Sequence, residues 1–168
     1  NQGPAISINK ASNLAVGDYI HFVEGSEVLH SKSTLVLLES CITLGTQVAL
    51  GRVALKKNFI ERNITKKALL IENPIESILL FKSPDICQIG KSATLISRNL
   101  LYKIGKVDSS VYLQNMSLSL RCAKSSKFAY IPDDISRIAS KRPPNDIRFI
   151  TYNNMKSIYN FVQSNEDF

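Results

Sequence analysis

A chain of 168 residues and 18.7 kDa is the size of one domain, and folding at this length buries roughly two-thirds of the unfolded chain's surface. A hydrophobic content of 44% with 21% charged residues excludes a disordered chain, and no apolar run reaches the ~20 residues that span a bilayer. The net charge is +7 and is unevenly spread: residues 52–106 hold eleven Lys/Arg against four Asp/Glu, and residues 121–148 hold seven against three. Such clustering predicts one basic face for a partner that carries phosphate.

In chain order, residues 1–13 have weak periodicity and are expected to form an N-terminal arm. Gly17-Asp18 supplies a turn, and Tyr19 to Val23 has strand propensity with partial alternation. "STLVLLESCI" from Ser33 and "TQVALGRVAL" from Thr46 read as two strands of an antiparallel meander, joined around Leu44-Gly45. The segment 56–67, "KKNFIERNITKK", is basic and only loosely periodic, which predicts an exposed loop.

"KALLIENP" and "ESILLF" read as short strands separated by Asn73-Pro74, where proline cannot donate to a ladder. "QIGKSATLISRNLLY" resumes as a strand after Gly90, and the alternating "SLSLRCA" predicts another. "FAYIPDDISRIA" begins as a strand and is expected to pass into a short helix capped by Asp133 or Asp134. Arg142-Pro143-Pro144-Asn145 is the clearest break, and beyond it the stripe Met155, Ile158, Tyr159 and Val162 predicts a helix from about Asn153. The expected organisation is a single domain over 1–168, with a β core over 14–139 and a C-terminal segment over 140–168.

Few residues point to catalysis or metal. The seven glycines are scattered singly, so no phosphate-cradling loop is formed, and neither His21 nor His30 sits in a motif with a nucleophile. Cys41, Cys87 and Cys122 are widely separated and flanked by apolar residues, as reduced core thiols are. With no Cys-x-x-Cys pair and two histidines, neither a metal nor a cofactor is expected. No signal-peptide pattern is seen, and the expectation is an intracellular, non-enzymatic protein.

Three blocks then carry a resemblance. "VGDYIHF" resembles the opening strand of a BAH (bromo-adjacent homology) domain. "ESILLFKSPDICQIGKSATLI" resembles that family's acidic residue, apolar strand and Ile-x-Gly-Lys-Cys strand, with Glu76, Asp85, Ile89, Gly90 and Lys91 matching and Ser92 where cysteine is usual. "SLRCAKSSKFAYIPDDISRIA" is similar to a strand, Lys-Phe turn and Ile-Asp segment of BAH domains in the largest origin-recognition subunit and its yeast silencing paralogue. The family's characteristic tryptophan is missing.

What the resemblance implies is a mainly β fold, a distorted small barrel with short peripheral helices, in a nuclear chromatin-binding module. Nucleosomes, histones and DNA are then the expected partners, in origin recognition or silencing, with no membrane and no small-molecule substrate. Lacking tryptophan for a methyl-lysine cage, the expected contacts are the nucleosome's acidic and phosphate surfaces. Lys56, Lys57, Arg62, Lys66 and Lys67 are the expected basic loop. Arg121, Lys124, Lys127, Arg137, Lys141 and Arg142 form the second cluster, with Arg137 and Arg142 as its anchors.

A competing resemblance is to LexA-type and phage-repressor peptidase domains, in "GRVALKKNF", "LLIENP" and "QIGKSATLISR". Lys56 would then be the base of a Ser–Lys dyad, but the serine expected before "GDYI" is absent, the nearest being Ser7 and Ser12.

Overall fold

The computed structural model describes residues 3–54, 63–80, 82, 85–86, 89–111, 113–138 and 147–165. In chain order the elements are α1 (Pro4–Leu14), β1 (Tyr19–His21), β2 (Glu27–Leu29), α2 (Ser33–Leu44), β3 (Val48–Ala54) and β4 (Leu69–Ile71). There follow α3 (Pro74–Leu79), β5 (Thr94–Ser97), α4 (Arg98–Lys103), α5 (Gln114–Ser125), β6 (Phe128–Ile138) and α6 (Ile147–Gln163).

The expected mainly β barrel is corrected by this architecture, in which 46% of the described residues are helix and 22% strand. Three expected strands are helices, and each has a physical reason. In α2 the run Leu35 to Leu38 is continuous rather than alternating, and such a run fits either element. The helix buries Ser33, Leu37, Ser40 and Cys41 on one face. Gly45, with φ of 63°, ends it, and the Thr46 amide donates to the Cys41 carbonyl, as in a Schellman cap.

In α3, Pro74 takes the first helical turn, and the Asn73 side chain accepts from the Glu76 amide at 3.2 Å. The proline that argued against a strand was therefore starting a helix. In α5 the Ser-Leu alternation is misleading because the helix is buried nearly all round, with Met116 to Leu120, Cys122 and Ala123 all inside. Its serines are satisfied locally: Ser119 Oγ accepts from the Ile89 amide, and Ser117 Oγ donates to Asp108.

The sheet runs β1-β5-β3-β6-β2, with β4 also paired to β6. Both β1 and β3 are antiparallel to β5, while β3 and β6 are parallel, so β1, β3 and β6 all point the same way. Side chains alternate across it. Val48, Leu50, Ile96 and Phe128 face a core shared with α3, α4, α5, Ala5 of α1 and Phe161 of α6. Ala49, Leu95, Ala129, Ile131 and Ile135 face the other side, against Leu37 and Cys41 of α2. The product is a helix–sheet–helix sandwich.

The segment expected to turn from strand to helix is one long strand, β6. Its register with β3 shifts at Gly51/Arg52 and Arg52/Val53, where Pro132 and Asp133 bulge out. Proline is tolerated there because a bulge needs no ladder donor. Asp133 instead accepts from the amides of Thr65 and Lys66 at 2.9 and 2.8 Å. The residues of the expected N-terminal arm form α1, and the C-terminal helix begins at Ile147, six residues before its expected start.

Candidate functional site

Open α/β sheets offer a crevice just beyond the carboxyl ends of their parallel strands, because the crossover chains leave there in different directions. In this chain that edge gathers the turn after β1, the loop before β5, the first residue of β2 and the far end of β6.

His21, the last residue of β1, has Nε2 at 2.8 Å from the Ser92 carbonyl and Nδ1 at 2.9 Å from the Thr34 hydroxyl. A carbonyl only accepts, so Nε2 carries the proton and Nδ1 accepts from threonine when the ring is neutral. Burial lowers the His21 pKa, against a smaller opposing pull from the Ser92 carbonyl, and so favours that neutral ring.

Ser92 is fully buried and joins two carboxylate-bearing residues to the loop before β5. Its hydroxyl accepts from the Glu24 amide at 2.7 Å, and its own amide donates to Glu27 Oε2 at 3.2 Å. Glu27 is only 7% exposed, and the Ser136 hydroxyl of β6 also reaches its Oε2, at 3.4 Å. Burial foremost, and then a hydrogen bond from its carboxyl to that of Glu24, push the Glu27 pKa upward, while Ser92 partly offsets them.

The same loop reaches α5. Gly90 has φ of 101°, and a Cβ built there would lie 3.4 Å from Leu118 Cδ2 and 3.5 Å from Asn115 Oδ1. Glycine is favoured by the backbone angle, and the loop packs against Asn115 and Leu118 of α5 there. On the sheet, Tyr130 donates its hydroxyl hydrogen to Asp85 at 2.9 Å. Among the described residues no group of three or more His, Cys, Asp or Glu gathers to hold a metal ion.

Among the described residues, the basic side chains expected to bind a nucleosome have separate surroundings. Arg121 turns inward, its Nη1 donating to the carbonyls of Ile104 and Lys106, both at 2.7 Å. Lys124 bonds to the Asn165 side chain, and Lys127 pairs with Glu72. Lys66 donates to the Pro132 carbonyl at 3.1 Å, Lys67 is exposed, and Arg137 lies on β6 opposite Val28 and Ala54. Lys56, Lys57, Arg62, Lys141 and Arg142 lie outside the described residues, as does the peptidase-type role of Lys56.

Sequence reasoning missed His21, Glu24, Glu27 and Ser92. The signal was present in "YIHFVEGSEVL", a strand that runs directly into two glutamates three residues apart across a Gly-Ser turn.

No protein-family model matches the chain, and no curated protein matches it. Solved structures of S. aureus TarS do share its fold. TarS 1-349 in complex with UDP matches with a TM-score of 0.66 at 11% identity, over 96% of this chain and 45% of that one. TarS 1-349 in complex with UDP-GlcNAc matches with a TM-score of 0.62 at 13% identity, over 86% and 40%. TarS 1-349 without a named ligand gives 0.64 at 10% identity, over 98% and 54%. This chain spans about half the length of those structures or less. The chromatin-binding, non-enzymatic reading rested on a β-barrel, and this fold likeness overturns it, together with its nucleosome partners and its exclusion of small-molecule substrates.

Proposed function

We propose that this chain is a nucleotide-sugar-binding domain of the glycosyltransferase type, with the ligand in the crevice at the carboxyl ends of β1, β3 and β6. The observation that carries the reading is the fold shared with TarS structures bound to UDP and UDP-GlcNAc, with polar groups clustered at the edge where such sheets bind ligands.

The chemistry of the crevice suits that ligand class. Glu24 lies on the turn after β1 and is the more open of the two glutamates, so its carboxylate is the acceptor for ribose or sugar hydroxyls. Asn115 in the first turn of α5 lies beside Gly90, and the N-cap, Leu113, offers no side-chain oxygen to the first amides of the helix, which favours a diphosphate there. The net charge of +7 draws in an anionic nucleotide.

Titration calorimetry with UDP, UDP-GlcNAc and ADP tests the reading. Saturable heat with the uridine ligands, weakened about tenfold by Glu24→Ala, is the expected result. That factor corresponds to ~1.4 kcal/mol, the scale of one hydrogen bond to a charged group. Absence of binding by both uridine ligands, or equal binding of ADP through charge alone, rejects it.

A further inference from the structure

We propose that the outer face of α6 is the surface through which two copies of this chain pair, antiparallel and about a two-fold axis beside residue 157. The inference goes beyond the nucleotide-sugar reading and does not depend on it.

The observation behind it is a helix turned inside out. With about 3.6 residues per turn, Asn153, Ser157 and Phe161 fall on one side of α6, and Tyr152, Met155, Tyr159 and Val162 fall on the opposite side. A surface helix ordinarily turns its apolar stripe toward the core. Here Asn153, Ser157 and Phe161 are the buried residues. The two polar ones are satisfied within the helix: Asn153 Nδ2 donates to the Phe149 carbonyl and the Ser157 hydroxyl to the Asn153 carbonyl, each at 2.9 Å. On the apolar side Tyr152 is 65% exposed, Met155 57%, Tyr159 64% and Val162 38%. A contiguous stripe of this kind marks an interaction surface.

The spacing of the stripe identifies its occupant. Steps of three, four and three residues are those of a seam between two helices, where side chains of one enter the spaces of the other. The four positions are also symmetric about residue 157, with Met155 and Tyr159 flanking it closely and Tyr152 and Val162 at equal, longer distances in the chain. A second copy laid antiparallel therefore sets Tyr152 against Val162 of the other copy, and Met155 against Tyr159 of the other copy. The outer pairs match a large side chain with a small one, and the inner pairs place a thioether on an aromatic ring, a favourable contact. Such self-complementarity is what a two-fold interface requires.

Area and charge fit the same occupant. With about 100 Å² open on each large side chain, two copies and the residues flanking the stripe cover roughly 1,000 Å² in total, the low end for a specific, reversible dimer. The helix carries Arg148 and Lys156 and no carboxylate, and each chain carries +7, so the copies repel at long range. Lys156 is drawn aside from the seam, its Nζ donating to the Ser110 carbonyl at 3.4 Å. Salt screens the repulsion and leaves the apolar contact intact, so the dimer tightens as salt rises.

Sedimentation velocity over a range of protein concentrations, at low and high salt, tests the pairing. The expected result is a monomer–dimer equilibrium with Kd on the order of 10–100 μM that tightens with salt. Met155→Glu, a change at an exposed position, weakens it at least about tenfold while leaving the thermal melt in place. Ile42→Glu, at an exposed apolar residue of α2, leaves it unchanged. In a Cys87→Ser background, oxidising a mixture of Met155→Cys and Tyr159→Cys proteins gives the mixed disulfide dimer in preference to either like pair. A protein that stays monomeric to about 500 μM, where such a dimer would be populated, overturns the proposal. So does association that Met155→Glu does not weaken, or that Ile42→Glu weakens equally. Like pairs of Met155→Cys in place of the mixed dimer overturn the antiparallel arrangement.

Discussion

Arg121 Nη1 lies 2.7 Å from the carbonyl of Ile104 and 2.7 Å from that of Lys106, so a residue expected to meet an external partner instead ties the end of α4 to α5. The reason is local. The chain leaves α4 through Gly105 and Lys106, both with positive φ, and its last carbonyls point inward without helical partners. A guanidinium is the one side chain able to serve both carbonyls in a plane while its Nε also donates to Ser117 at 3.3 Å. Burial lowers its pKa from the ordinary arginine value, and the nearby Asp108 carboxylate opposes that.

Arg121→Lys is therefore expected to lose about 1–3 kcal/mol of folding stability, because one ammonium cannot replace the fork and a buried carbonyl is left unpaired. Urea unfolding of the two proteins measures this. A midpoint within error of the wild type would show that the guanidinium adds nothing beyond its charge.

How much of this was legible in the sequence follows from which residues carried local chemistry. Tyr19–His21, Val48–Ala54 and Leu69–Ile71 were found as strands because β-branched and apolar residues dominate them. Asn73-Pro74-Ile75-Glu76 carried the cap and first turn of α3, but the proline was weighed only as a strand breaker. The serines of α5 concealed a helix because burial on every side removes the 3.6-residue contrast that marks an amphipathic one. The crevice was harder still. Ser92 and Ser136 are unremarkable in sequence and become informative only when the sheet brings residues 27, 92 and 136 together.

Gly51 marks the bulge between β3 and β6. A Cβ built on it would lie 2.2 Å from Ile135 Cγ1, 3.2 Å from Ile135 Cβ and 3.3 Å from the Ile131 carbonyl. Gly51→Ala should cost about 1–3 kcal/mol through forced displacement of Ile135, which is fully buried. Pairing it with Ile135→Ala, which removes the clashing Cγ1, should give a combined loss smaller than the sum of the two single losses. Additive losses in the double variant would show that the strain lies in the backbone instead.

Cys122 is fully buried on α5, and burial pushes its thiol up to about 12, against a smaller downward pull from Arg121. Cys41 is buried on the inner face of α2, and burial pushes its thiol up to about 11. Neither provides thiolate at neutral pH, and thiolate is the reactive form. In a Cys87→Ser background, a water-soluble disulfide reagent is expected to label neither cysteine in the native protein and both in urea. Stoichiometric labelling within minutes without denaturant would contradict the burial of that residue.

The final prediction separates His21 from Glu27 by the opposite signs of their titrations. Burial lowers the His21 pKa below 6.5, so the folded state binds fewer protons there than the unfolded chain does. Its contribution to stability is present above 6.5 and is lost as pH falls through the lowered value. Glu27 has a raised pKa, so its contribution is full below 4.5 and is lost as pH rises through the folded value. In the wild type these two slopes oppose each other and flatten the curve. His21→Gln, which keeps a donor for the Ser92 carbonyl, leaves the Glu27 slope exposed, so stability falls steadily as pH rises from about 4.5. Glu27→Gln leaves the His21 slope, so stability falls as pH drops below about 6.5. Urea midpoints at a series of pH values read both slopes directly. Parallel curves for the two variants would mean that neither buried group titrates as its surroundings dictate.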